Sequence, residues 1–207
     1  MAADGDEKHD HFELICGLAI AILAAALALN DLGSGKFGGD EIAARSGGEK
    51  AYAWYASKGL KENLAEGQRD TLAALLDAGI IAPDKSSGVA KTLEHLDGQI
   101  ARYKKEKKEI LLGSAAVGPE NWVQDVDGKL GQIKGAKEWE GEIDTLDSAG
   151  DVFDMGTLFL QLCLVLGAIS LIMKEPRLRW SFFTAMLILG GVGIIYSARA
   201  FWMAFQV

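Results

Sequence analysis

Few residues in this chain have the types and spacing that chemistry needs. His9 and His11 form an H-x-H pair beside Asp10 and Glu13, the beginning of a divalent-metal site. A closed site needs more converging ligands, and without further Cys/His company the pair reads as a solvated tail. Gly33-Ser34-Gly35-Lys36 imitates part of a phosphate-binding loop. That motif requires Gly at position 30 and Ser or Thr at 37, where the chain has Asn30 and Phe37. Asp125-Val126-Asp127-Gly128 has a fragment of a calcium loop's spacing but lacks the remaining ligands and the closing Glu. Ser, His and Asp occur, yet nothing arranges them as nucleophile, base and orienter. The sequence predicts no enzyme, no cofactor and no metal.

The charged residues are better explained as surface. Lys58, Lys61, Glu62, Glu66 and Asp70 fall at the three- and four-residue spacings of ion pairs along one helix. Residues 31–154 hold 16 Lys/Arg against 23 Asp/Glu, net −7 of the chain's −8. An acidic balance of this kind excludes nucleic acid as a partner, because phosphate contacts need clustered positive charge. Cys16 and Cys163 both lie in apolar runs. A bridge between them is conceivable, but two small apolar-like residues within buried helices is the simpler account.

These residues must be positioned by helices, and the apolar runs set the frame. Met155–Met173 and Trp180–Ala198 each run 19 residues without a charge, joined by the basic turn 174–179. At a rise of about 1.5 Å per residue each is about 28 Å long, the thickness of a hydrocarbon core. Leu14–Asn30 is charge-free for 17 residues, near the lower limit. In lipid only a helix satisfies its own backbone amides, so all three runs read as transmembrane helices. The lipid bilayer is the first partner this implies. The acidic stretch 1–13 lacks the positive n-region of a cleaved leader, so Leu14–Asn30 reads as a signal anchor. No ionisable residue interrupts any span centrally, which counts against a pump or secondary transporter.

Basic residues near the span ends give the orientation. Lys174, Arg177 and Arg179 mark the turn as cytoplasmic, whereas residues 135–154 offer only Lys137. Residues 31–154 then form an extramembrane domain on the far side, and 199–207 a short tail.

Within 31–154 the periodicity is helical throughout. The glycine-rich stretch 31–50 predicts a turn leaving the bilayer, with Asp40 capping a helix that continues to about Gly79. Its stripe Ala53, Ser57, Leu60, Leu64, Gly67, Thr71, Leu75, Ala78 is dominated by small residues. Residues 83–88, beginning at Pro83, predict a break. Val89, Leu93, Leu96, Ile100, Tyr103 and Ile110 then share one seam, interrupted only by Lys107, on a helix paired with its predecessor. Pro119 predicts the first turn of a third helix whose apolar positions run from Trp122 to Leu146 and on into the second span. The fold class is an all-α membrane protein. One N-terminal and two C-terminal transmembrane helices flank an extramembrane helical bundle or stalk.

The candidate functional residues are therefore helix-packing positions. Gly17, Ala21 and Ala25 recur every fourth residue, letting another backbone approach closely. Ser57, Leu64 and Gly67 do the same in the extramembrane helix, and Gly190 and Gly193 in the third span.

One stretch carries a resemblance. Trp54, Tyr55, Ser57, Lys58, Leu60, Lys61, Leu64, Glu66 and Gln68 match the W-Y-x-[AS]-K-x-[IL]-K-x-x-L-x-E-x-Q segment of the DUF4337 family. The chain resembles these bacterial membrane proteins in architecture as well: one N-terminal span, a helical middle and a C-terminal hairpin. The resemblance implies that fold and a bacterial inner-membrane location; with the basic turn cytoplasmic, residues 31–154 are then periplasmic. It implies no activity and carries over no catalytic residue.

The functional expectation is a non-enzymatic membrane protein that self-associates as a structural or membrane-organising assembly. Two alternatives stand beside it: an accessory subunit of a larger membrane complex, and an oligomeric channel.

Overall fold

The computed structural model describes residues 3–82 and 84–206, with side chains from His11 onward. Among them the chain is all helix and loop: α1 (Ala3–Asp77), α2 (Ser86–Leu112), α3 (Ser114–Val117), α4 (Ala136–Ile172) and α5 (Pro176–Ala204). α1, α4 and α5 are long and apolar enough to cross a membrane. The chain divides into two compact units, one of residues 1–42 with 143–207, the other of residues 43–142.

In the first unit all three helices are buried on seams spaced three and four residues apart. α4 buries Leu146, Ala149, Phe153, Gly156, Leu160, Cys163, Gly167 and Ser170. α5 buries Arg179, Phe183, Met186, Gly190, Gly193, Ala200 and Ala204. α1 contributes Phe12, Cys16, Leu23, Asn30, Gly33 and Phe37. A 3.5-residue repeat keeps one face turned to its neighbours along a left-handed coil of helices.

The glycines on these seams are notches. A Cβ on Gly33 would lie 2.4 Å from the Phe201 ring, on Gly167 2.6 Å from Met186 Sδ, and on Gly193 2.7 Å from Leu160. Two aromatic clusters close the bundle. Phe12 meets Trp180 and Phe183 edge-on at 5.0 and 5.5 Å, and Phe37, Phe153, Phe201 and Phe205 meet at 5.0–6.3 Å. Each cluster has a cation on it: Arg179 Cζ is 3.9 Å from the Phe12 centroid, and Lys36 Nζ is 4.5 Å from that of Phe37.

The expected turn in residues 31–50 is absent, because α1 is one helix of 75 residues. Each glycine costs such a helix roughly 1 kcal/mol against alanine. Packing offsets that cost: Gly33 receives Phe201, and Gly47 receives the Trp139 ring, 2.8 Å from where a Cβ would stand. Asp40 is accordingly not a cap; it pairs with Lys36 at 3.9 Å along the helix.

The second unit pairs α1 with α2, and the α2 seam matches the sequence expectation: Leu96, Ile100 and Ile110 are buried, and Val89, Leu93 and Tyr103 half-buried. Pro83 lies outside the described residues. The expected third helix from Pro119 does not form. Pro119–Asn121 is a single 3₁₀ turn, and the backbone then bends through Asp127, Gly128 and Gly131 at φ 53°, 78° and 78°. A helix cannot pass through such left-handed positions, so α4 begins only at Ala136. From there it does run unbroken into the apolar stretch.

Candidate functional site

The polar chemistry of the second unit is concentrated between α1 and α2. Lys58 Nζ lies 2.5 Å from Glu106 Oε2, and Arg102 Nε donates to Glu106 Oε1 at 2.7 Å. One turn on, Lys107 donates to Glu62 at 2.8 Å and Lys104 pairs with Glu66 at 3.1 Å. Lys58, Glu62 and Glu66 therefore reach across to α2, correcting the expectation of pairs along one helix. Asp70 pairs with its neighbour Arg69 at 2.6 Å. The Glu106 side chain is 1% exposed. Burial pushes its carboxyl up, but the hydrogen bonds and charges of Lys58 and Arg102 outweigh that and leave it below the ordinary value. The Lys107 ammonium is held above its ordinary value by the hydrogen bond to Glu62, against burial.

A second buried carboxylate builds the loop after α2. Glu109 accepts from Ser114 Oγ at 2.8 Å and from the Val123 and Gln124 amides at 2.9 Å each. Ser114 in turn accepts the Ile133 amide at 3.0 Å, and its carbonyl accepts the Trp122 indole at 2.7 Å. Glu109 thus ties two backbone amides and the Ser114 hydroxyl into one buried network that holds the loop. Asp125 accepts from the Gly128 amide at 2.6 Å and so closes a tight bend where the calcium-loop fragment stood.

Of the sequence-predicted packing positions, two groups separate. Gly190 and Gly193 sit inside the first unit, where Leu23 and Leu160 fill their notches. Gly17, Ala21, Ala25, Ser57, Leu64 and Gly67 are all exposed. A Cβ on Gly17 or Gly67 would have nothing within 4 Å. Leu64, Gly67 and Thr71 of α1 line an open groove with Thr92 and Leu96 of α2. Cys16 and Cys163 are free and buried. The His9 side chain lies outside the described residues, and His11 is exposed. Among the described residues no group of three His, Cys, Asp or Glu comes together.

Residues that the sequence reading passed over prove central to the packing. Asn30 is fully buried; its Nδ2 donates to the Phe153 carbonyl at 3.1 Å and to Thr157 Oγ1 at 2.8 Å. Gly156 makes room for it, since a Cβ there would stand 2.9 Å from Asn30 Oδ1. Spacing was the signal available: Asn30, Gly33 and Phe37 continue the three-four rhythm of Phe12, Cys16 and Leu23.

The architecture is one long helix, a helical middle and a C-terminal pair. The model of the family described as domain of unknown function DUF4337 matches residues 12–203. The chain belongs to the DUF4337 family. The match takes in both compact units, so the packing described above is that of a DUF4337 protein over almost its whole matched length. No curated protein and no solved structure matches the chain.

Proposed function

We propose that this DUF4337 protein is a non-enzymatic integral membrane protein that self-associates as a structural or membrane-organising assembly. The first unit crosses the bacterial inner membrane three times, with the 174–179 turn cytoplasmic and residues 31–154 periplasmic. Support for the crossing comes from the three long apolar helices and the absence of any charge within Leu14–Asn30, Met155–Met173 and Trp180–Ala198.

The observation that carries self-association is a contrast between glycines of one helix. Those of α1 that face its intrachain neighbours, Gly33 and Gly47, are filled by aromatic rings, whereas Gly17, Gly35, Gly39 and Gly67 have nothing within 4 Å. The open ones alternate with exposed leucines and isoleucine: Leu14, Leu18, Leu32, Ile42, Leu60 and Leu64 are 64–71% exposed. Along α1 these positions hold the same three-four spacing as the buried seam. A face of that period is built to receive another helix, and glycine and alanine let it come close.

The test is the mass of the particle extracted in mild detergent, read by native mass spectrometry. A pure multiple of about 22 kDa is expected. Ala21→Leu and Ala25→Leu, which add bulk to an exposed face, should dissociate it. An unchanged particle size for both variants refutes the packing surface. A fixed integer stoichiometry with a foreign protein would instead make the chain an accessory subunit.

A further inference from the structure

We propose that the turn between α4 and α5 binds the phosphate of an anionic phospholipid headgroup through Lys174, Arg177 and Arg179. The proposal rests on the reading that the first unit crosses a bilayer. Its starting point is a buried cation. Arg179 is 9% exposed, its guanidinium sits over the Phe12 ring with Cζ 3.9 Å from the centroid, and its Nε has no acceptor. Its backbone is pinned as well, since Ser170 Oγ donates to the Arg179 carbonyl at 3.0 Å. A buried guanidinium N–H without an acceptor is costly, and phosphate oxygens supply acceptors that match its planar fork.

The surroundings fit the same anion. α5 starts at Pro176 without a side-chain cap; proline has no amide proton and the Arg179 amide donates to the Glu175 carbonyl at 3.0 Å, which leaves the Arg177 and Leu178 amides and the positive end of the dipole for an anion. Lys174 and Arg177 are exposed beside it. Ile172 is 78% exposed and Trp180 52%, an apolar rim that a free anion does not need and an acyl chain does. The turn also lies where the charge-free runs of α4 and α5 end, at Met173 and Trp180, which is the depth of lipid phosphates once the helices span.

Full-length protein in mild detergent, offered phosphatidylglycerol and phosphatidylcholine at equal mole fraction, tests this by native mass spectrometry. Wild type should carry phosphatidylglycerol several-fold more often. Lys174→Gln with Arg177→Gln, both on exposed residues, should cut that preference roughly fivefold or more. Arg179→Gln should also cut it, and Arg179→Lys should keep only part of it, because an ammonium has the charge without the planar fork. Equal adducts of the two lipids on wild type overturn the proposal, as does a preference unchanged in both Gln variants. Displacement of the lipid by millimolar inorganic phosphate would assign the turn to the free anion and overturn the lipid assignment. The same spectra report particle mass, so a monomer with its lipid preference intact refutes self-association alone. Release of the protein from membranes by alkaline carbonate refutes the spanning reading itself.

Discussion

Leu23 of α1 occupies the notch left by Gly190 of α5: a Cβ added there would lie 2.5 Å from Leu23 Cδ2. The contact is tight because both residues lie on buried seams packed against each other.

Gly190→Ala should therefore destabilise the first unit by about 1–3 kcal/mol, the usual cost of overpacking. Gly38→Ala, on the same chain but with nothing within 4 Å, should be neutral or stabilising by up to about 1 kcal/mol. Thermal unfolding in detergent compares the two, and equal shifts would contradict the notch.

Asn30 joins α1 to α4 through a side chain rather than through shape. Asn30→Ala should cost about 1 kcal/mol, the order measured for hydrogen bonds between helices in lipid. Thr157→Val should cost a similar amount. The double variant should cost less than the sum, because both remove the same 2.8 Å bond.

Glu106 makes the second unit acid-sensitive. Its folded carboxyl lies below the ordinary 4.5, so its contribution is fully present above that value and is lost as pH falls through the folded one. Wild-type stability should thus drop below about pH 4.5, and Glu106→Gln should flatten part of that drop while lowering stability at pH 7. Lys58→Ala, which leaves only the exposed Arg102 on this carboxylate, should cost about 2 kcal/mol. Denaturant titrations at pH 7 and pH 3.5 would read both effects.

Glu109→Ala strips the loop after α2 of the acceptor for two amides and a hydroxyl. It should cost about 3 kcal/mol and speed hydrogen exchange at the Val123 and Gln124 amides by more than tenfold. Exchange confined to these residues in wild type at the variant's rate would show that the carboxylate does not hold them.

The α2 seam was legible because its apolar residues are the ones that pack. α1 was harder in two ways. Its glycines, taken alone, read as a break at 31–50, whereas Trp139 and Phe201, distant in sequence, supply the rings that fill Gly47 and Gly33. Past residue 50 the more apolar stripe, Leu60 and Leu64, points outward, while the face turned to α2 carries Lys58, Glu62 and Glu66. A rule that buries the apolar face chooses the wrong side when ion pairs line the other. The stretch after Pro119 misled for a local reason. Trp122, Val126 and Leu130 have helical spacing, but Asp127, Gly128 and Gly131 adopt left-handed backbone that ends any helix. For the candidate site, Gly190 and Gly193 were readable as close-approach positions. The buried Arg179 was not, since its neighbour Phe12 comes from the far end of the chain.

The glycine notches also decide how this bundle can move. Leu23 fits Gly190, Leu160 fits Gly193 and Phe201 fits Gly33, like the cuts of a key against its wards. Sliding α1 by one heptad would offer Cys16 or Asn30 to the notch at Gly190; the first is too small to fill it and the second would bring a polar amide into an apolar contact. Piston strokes of α1 along its axis are closed to the first unit. Any mechanical signal carried by these three helices must travel as a tilt or a rotation of the whole keyed set.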